Sequence, residues 1–223
     1  MAVTLPVSAK DRIRFTPPRA EGEAAPTYLI APSTNIERAR WRRDVARQGA
    51  RLVDVTELRD HLRKAVETLL SGELKDKALA DLETVNQALE SVSSGEKVPE
   101  NFAEAFKATA ELEAICIRDW PPYAEAYADR EYHFEVSRIL AARYFLRGWE
   151  GVLEECSGCD GTGAKDDVPC ARCEGAGNVP LKFKTKDGLI SEECFAVIPR
   201  SDIYDVGLQA MALMTPNAGR RKN

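Results

Sequence analysis

Four cysteines in two closely spaced pairs are the residues of this chain best suited to chemistry. Cys156 and Cys159 form one C-x-x-C pair, Cys170 and Cys173 form another, and each pair is followed by the pattern x-G-x-G. Four thiolates in two such pairs can surround one Zn²⁺ tetrahedrally, each sulfur about 2.3 Å from the metal. Such a site keeps no open position for water or substrate. We therefore predict one structural zinc ion bound by Cys156, Cys159, Cys170 and Cys173.

The glycines after each pair have a predicted conformational role. The backbone must fold tightly under the metal and point its N–H groups at the sulfurs. Gly161, Gly163, Gly175 and Gly177 can take positive φ without steric cost. The run Ala164–Pro169 then returns the chain, so that the second C-x-x-C-x-G-x-G repeat faces the first. We expect a two-knuckle zinc hairpin over residues 152–180.

Other uses of these cysteines have less support. Two disulfides would need an oxidising compartment, and nothing in the sequence indicates one. No βαβ pattern surrounds either pair, which argues against a thioredoxin-like dithiol. No H-E-x-x-H sequence, phosphate loop or Ser/His/Asp set accompanies them. We expect no catalytic residue and no enzymatic activity, with a thiol oxidoreductase as the enzymatic alternative.

Composition limits the class of partner. The chain has 223 residues, 44% hydrophobic and 30% charged, with a net charge of −5. An acidic balance argues against a nucleic-acid partner, which would require Lys and Arg to neutralise phosphates. No apolar run approaches the roughly 20 residues that span a bilayer, and the N-terminus has no signal-peptide pattern. We expect a cytoplasmic protein with no membrane partner.

Hydrophobic periodicity predicts a mainly α fold outside the cysteines. Residues 1–32 are predicted to form an extended N-terminal β-arm, with strand-like runs at 13–15 and 28–30. Residues 33–151 predict a helical, bundle-like domain that begins at a capping box, Thr34-Asn-Ile-Glu37. Residues 181–223 predict a strand and helices that pack on the helical domain. The remaining cysteines, Cys116 and Cys194, are expected to be small buried hydrophobes.

Several details of these elements are also predicted. Asp54 is expected to cap the second helix and Gly72 to end it, and Ser191 is expected to cap a short helix after the cysteines. Residues 147–151 are expected to close the helical part. The fourth helix is expected to turn Phe106 and Ile115 inward. Residues 181–185 alternate like a strand, and Ser201 or Asp202 is expected to cap the last helix.

The cysteine repeats resemble the zinc domain of DnaJ-type chaperones, which carries four C-x-x-C-x-G-x-G repeats and two zinc ions. The resemblance covers about 22 residues and two repeats here. The sequence contains no His-Pro-Asp tripeptide, the hallmark of a J-domain. The resemblance implies a zinc hairpin. It leaves a general chaperone or scaffold without a J-domain as an alternative function.

A second resemblance, to tail assembly chaperones of long-tailed bacteriophages and prophages, involves more of the chain. It rests on short motifs on both sides of the cysteines: Arg14–Pro18, Pro26–Ile30, Glu37-Arg38, Arg42-Arg43, Gly49–Arg51, Trp120–Tyr123, Ala128–Arg130, Ala142–Leu146, Gly148–Gly151, Gly188–Glu193, Ile198-Pro199 and the terminal Arg-Lys-Asn223. Compared with that group, the zinc hairpin is a departure or an optional insertion.

The second resemblance implies a function. Such proteins coat the long helical tape-measure protein in the bacterial host cytoplasm, recruit tail-tube subunits, and leave as the tube grows. We therefore expect the tape-measure protein and the tail-tube subunit as partners, with the oligomeric state open.

Overall fold

The computed structural model describes residues 11–18 and 25–214 and is mainly α, as the sequence predicts. Its helices are α1 (Asn35–Arg47), α2 (Val55–Leu69), α3 (Gly72–Ser94), α4 (Phe102–Asp119), α5 (Pro121–Phe145), α6 (Glu192–Ala196) and α7 (Arg200–Met214). Its strands are β1 (Ile13–Phe15), β2 (Thr27–Ile30), β3 (Leu146–Glu150), β4 (Leu153–Glu155), β5 (Ala164–Lys165), β6 (Val168–Pro169), β7 (Asn178–Pro180), β8 (Thr185–Lys186) and β9 (Leu189–Ile190). Residues 1–10 and 19–24 of the predicted arm lie outside the described residues. Among the described residues, no helix combines the length and apolar content that crossing a bilayer requires.

Three helices begin where their capping residues predict. The Thr34 hydroxyl accepts the Glu37 N–H at 3.2 Å, and the Glu37 carboxylate accepts the Thr34 N–H at 2.9 Å. Asp54 caps α2 by accepting the Glu57 N–H at 2.8 Å. Ser191 caps α6 by accepting the Cys194 N–H at 3.3 Å. These side chains satisfy backbone donors that lack a partner inside the helix.

The predictions for the second and fourth helices need correction. The second helix already ends at Leu69, and Gly72, with φ of +60°, is the first residue of α3. Phe106 and Ile115 are 55% and 45% exposed rather than inward. Instead, the buried residues of α4 are the small side chains of Ala105, Thr109 and Cys116.

The described residues divide into two units by their packing. The first contains the residues up to Gly49 and from Glu135 onward, and the second contains Ala50–Phe134. The predicted boundaries at residues 32, 151 and 180 follow composition rather than packing, and they remain predictions.

The first unit is built around a three-stranded antiparallel sheet in the order β1-β2-β3. Tyr28 and Ile30 of the central strand β2 are fully buried. The Tyr28 hydroxyl donates to the Asp202 carboxylate at 2.7 Å. Because α7 begins at Arg200, neither Ser201 nor Asp202 is its cap, and Asp202 is instead a buried hydrogen-bond partner inside the helix. This bond fixes the start of α7 to the middle of the sheet.

Residues 147–150 were expected to close the helical part, and they instead belong to β3, the third strand of this sheet. Glycine fits this strand because a Cβ at Gly148 would lie 3.1 Å from the Leu29 side chain. The predicted strand over residues 181–185 is reduced to Thr185–Lys186 of β8, which pairs only with β9. Glycine also allows α7 to approach α5, since a Cβ at Gly207 would lie 2.1 Å from the Arg138 carbonyl oxygen.

The second unit has its own apolar core. Leu62, Val66, Leu82 and Tyr123 are among its buried members, contributed by α2, α3 and the start of α5. Cys116 is 1% exposed and joins this core, as the sequence predicts. His133 is partly buried, and its Nδ1 lies 3.1 Å from the Ala50 carbonyl oxygen. This contact joins the two ends of the second unit.

Trp149 connects the segments on either side of the cysteine region. Its indole N–H donates to the Leu181 carbonyl at 2.8 Å, and its ring meets Phe183 edge-on at 4.9 Å. We expect Trp149→Ala to lower the free energy of unfolding by about 2–3 kcal/mol, because an aromatic pair and a hydrogen bond are lost together.

Urea unfolding followed by circular dichroism measures this change. Trp149→Phe should lose less, since it keeps the aromatic contact. Leu153→Ala is the matched control, because Leu153 is 56% exposed and should change stability little. An unfolding midpoint for Trp149→Ala equal to that of the control would contradict the prediction.

Candidate metal centre

Residues 152–180, here called the cysteine module, contain two antiparallel two-stranded ribbons. β4 pairs with β7, so that Leu153 lies opposite Pro180, and the Leu181 N–H donates to the Val152 carbonyl at 3.0 Å. β5 pairs with β6 around Asp166 and Asp167, whose φ values of 52° and 60° indicate a type I′ turn. The two ends of the module are therefore neighbours.

The two knuckles are related by reciprocal backbone contacts. The Cys156 N–H donates to the Gly177 carbonyl, and the Cys170 N–H donates to the Gly163 carbonyl, each at 2.8 Å. The predicted N–H to sulfur contacts are present, because Gly163 N lies 3.3 Å from Cys159 Sγ and Gly177 N lies 3.3 Å from Cys173 Sγ. Each knuckle therefore supports the other.

All four predicted ligands come together. Cys156 Sγ lies 3.8 Å from Cys170 Sγ, and Cys159 Sγ lies 3.6 Å from Cys173 Sγ. The four sulfurs are all within 4.8 Å of one another, and each residue is at most 7% exposed. A tetrahedron of sulfurs each 2.3 Å from its centre has edges of about 3.8 Å. The observed spacing fits four ligands around one metal ion.

Disulfides do not account for this cluster. A disulfide requires two sulfurs about 2.05 Å apart, and all six described cysteines are free. Cys194 is 1% exposed, and its thiol donates to the Lys182 carbonyl at 3.5 Å. Cys116 and Cys194 are therefore packing residues, as predicted, and neither adds a ligand to the cluster.

The thiols of the cluster differ in how readily they ionise. Burial raises the pKa of the Cys159 thiol to about 11. The backbone N–H groups of Cys173 and Arg172 lower the pKa of Cys170 to about 7. Four adjacent sulfurs cannot all carry negative charge unless a cation compensates them. The backbone N–H groups can stabilise part of the negative charge on the thiolates, and a bound metal ion would compensate the remaining charge.

Two features of the knuckles were not visible in the pattern. Asp160 and Glu174, the residues directly after each pair, adopt φ of 48° and 53°. The left-handed region is uncommon for side chains other than glycine, asparagine and aspartate. The other feature is a hydrogen bond between the knuckles, from Arg172 Nη1 to Ser157 Oγ at 2.6 Å. Neither feature has a spacing signature, because both depend on the final backbone geometry.

The chain matches no protein-family model, no curated protein and no solved structure. The metal centre is therefore interpreted from its own geometry. The resemblances to the zinc domain of DnaJ-type chaperones and to tail assembly chaperones remain expectations.

Cys173→Ser should remove the metal, because three thiolates and a hydroxyl hold it far less tightly. We expect residues 156–177 to unfold while the helices keep their circular dichroism. The readouts are metal content per chain, by mass spectrometry of the purified protein, and far-ultraviolet dichroism. Ser157→Ala is the control, since it removes a neighbouring hydroxyl but no ligand. One metal ion per chain in Cys173→Ser would rule out the four-cysteine site.

The glycines of the first knuckle offer a sharper pair of variants. Gly161 and Gly163 have φ of 78° and 79°, so alanine is strained by about 1 kcal/mol or more at either position. A Cβ at Gly163 would lie 2.4 Å from the Gly175 carbonyl oxygen, whereas a Cβ at Gly161 would lie 3.6 Å from its nearest neighbour, the Glu155 side chain. We expect Gly163→Ala to lose metal at a chelator concentration that Gly161→Ala withstands. Equal retention by the two variants would contradict the reciprocal packing.

Proposed function

We propose that Cys156, Cys159, Cys170 and Cys173 bind one structural Zn²⁺. The sulfur–sulfur distances of 3.6 and 3.8 Å carry this proposal. Tetrahedral thiolate sites are characteristic of zinc or iron, and a metal assay distinguishes the two. With four protein ligands, zinc has no coordination position left for a substrate.

The need for a metal follows from the module's small core. Its buried cluster consists of the four cysteines with Val179 packed beside them. So little apolar surface cannot offset the conformational entropy of ordering this segment. Structural zinc supplies on the order of 10 kcal/mol or more of apparent folding energy in such units. The ion would thus replace a hydrophobic core.

We propose that the whole protein is a non-enzymatic chaperone of phage tail assembly. It would bind the tape-measure protein and tail-tube subunits in the bacterial cytoplasm. The flanking motifs of the sequence support this proposal, and several lie at positions the fold depends on. Gly148 and Trp149 belong to β3, and Gly49, with φ of 72°, ends α1.

Exposed apolar side chains on the second unit also favour a binding role. Val55, Leu89 and Phe106 are 43%, 44% and 55% exposed, and they line the same groove. Exposed apolar side chains that are grouped around one groove, unlike singly scattered ones, favour an interaction site. A helix-binding groove is what a protein needs to keep a long helical client soluble.

A general chaperone or scaffold related to DnaJ zinc domains, without a J-domain, is the second candidate. The observation that favours it is the correspondence of the two knuckles, which share the same repeat and the same positive φ at both glycines. This candidate shares the zinc site with the first and differs in its partners.

The two candidates are separated by identifying the proteins that bind the full chain. Tagged protein is captured from bacteria that carry an induced prophage or an infecting phage, and bound proteins are identified by mass spectrometry. We expect a long helical tape-measure protein or a tail-tube subunit. Capture of only general chaperones or scattered unfolded host proteins would contradict the tail-assembly proposal and favour the second candidate.

A further inference from the structure

The second unit contains a groove whose shape and charge indicate what it binds. The groove has a volume of about 220 Å³ and lies between α2, α3, α4 and the start of α5. Leu62, Leu82 and Val85 form its apolar wall, and the three exposed side chains Val55, Leu89 and Phe106 line it as well. We call it the α3–α4 groove.

The size of the α3–α4 groove favours a side chain over a cofactor. Pockets for cofactors and drug-sized ligands have volumes of about 300–1,000 Å³. A volume of 220 Å³ suits one or two large apolar side chains. Because the lining includes exposed apolar residues, the occupant should also cover surface around the cavity. An amphipathic helix does both, since its apolar face presents side chains at i, i+3, i+4 and i+7.

Charges in the lining select the polar part of the occupant. The groove contains two guanidinium groups, Arg59 and Arg130, and one carboxylate, Glu113. Glu113 lines the groove beside Tyr123, which is 2% exposed, and burial raises the pKa of the Glu113 carboxyl. Among the lining residues, two cations against one anion leave a local excess of positive charge, within a unit that is acidic as a whole. Half-buried guanidinium groups favour a partner carboxylate, through charge-assisted hydrogen bonds.

We propose that the α3–α4 groove binds an amphipathic helical segment of a partner protein. A large apolar side chain of that segment enters the groove, and an acidic residue about one turn away faces Arg59 and Arg130. The inference deepens the proposed chaperone function and rests on it, because it names the surface that would hold a helical client.

A synthetic peptide tests the chemistry of the groove directly. The probe is a fluorescein-labelled helix of about 16 residues, with leucines at i, i+3, i+4 and i+7 and glutamates beside them. A matched probe has lysine at every glutamate position. Fluorescence anisotropy with the full chain should give at least about tenfold tighter binding for the glutamate peptide, which corresponds to about 1.4 kcal/mol. Equal affinity for the two peptides would overturn the proposed charge selection.

Variants locate the binding surface. Ala110 is exposed and lines the groove, so Ala110→Trp should fill it and weaken binding at least about tenfold. Ala80→Trp is the matched control, because Ala80 is exposed on α3 outside the groove. Phe106→Ala should also weaken binding, and it avoids adding bulk. Unchanged affinity in both Ala110→Trp and Phe106→Ala, with helical dichroism retained, would overturn the site.

The remaining outcomes separate this inference from the proposed function. Displacement of the peptide by laurate at equal concentration would indicate a fatty-acid ligand and overturn the peptide proposal. Peptide binding without capture of a tail protein from infected cells would leave the groove in place and contradict the tail-assembly function. Capture of the tape-measure protein by Ala110→Trp at the wild-type level would leave that function in place and overturn the groove as its binding site.

Discussion

The buried hydrogen bond between Tyr28 and Asp202 is the interaction on which the first unit depends. It joins residues 174 positions apart at 2.7 Å, and both side chains are fully buried. A buried carboxylate without a partner costs several kcal/mol, so this contact makes one arrangement of the sheet and α7 much more stable than others. β2 pairs with β1 along one edge and with β3 along the other, where Tyr28 lies opposite Trp149. One strand from the start of the chain thus organises segments that follow α5.

The cysteine module is attached to this framework by its ends. Its first and last strands pair with each other, and Trp149 contacts Leu181 and Phe183 just beyond them. A segment whose ends are adjacent can be added to a fold at low cost, because the flanking chain need not move apart. The module therefore depends on the framework for its position, and on the contacts between its two knuckles, with the metal ion that we propose, for its internal order.

The sequence predicted the parts of this structure that local chemistry determines. The clustering of the four cysteines, the glycines with positive φ, the caps at Thr34, Asp54 and Ser191, and the strands near residues 13 and 28 all follow from short-range rules. The exposure of Phe106 was missed, because apolar residues surround much of α4 and periodicity does not show which side its neighbours cover. The strand at Leu146–Glu150 was missed because its pairing partner β2 lies more than 100 residues away. The role of Asp202 was missed because its partner Tyr28 is also distant in sequence. A helix cap and a buried hydrogen-bond acceptor look alike in sequence.

Stability and recognition depend on different chemistry in this protein. The cysteine cluster is closed. Its four sulfurs lie within 4.8 Å of one another, reciprocal backbone contacts join the knuckles, and a Cβ at Gly163 or Gly177 would clash with the facing backbone, so its geometry leaves little room for a ligand. The α3–α4 groove is open, lined by exposed apolar side chains and an excess of guanidinium charge. Specific recognition usually arises from buried aromatic and arginine side chains around a cavity. The resemblance of the cysteine repeats to chaperone zinc domains therefore bears on how one segment folds, whereas the partner that we propose is tied to the flanking motifs and to the chemistry of the groove.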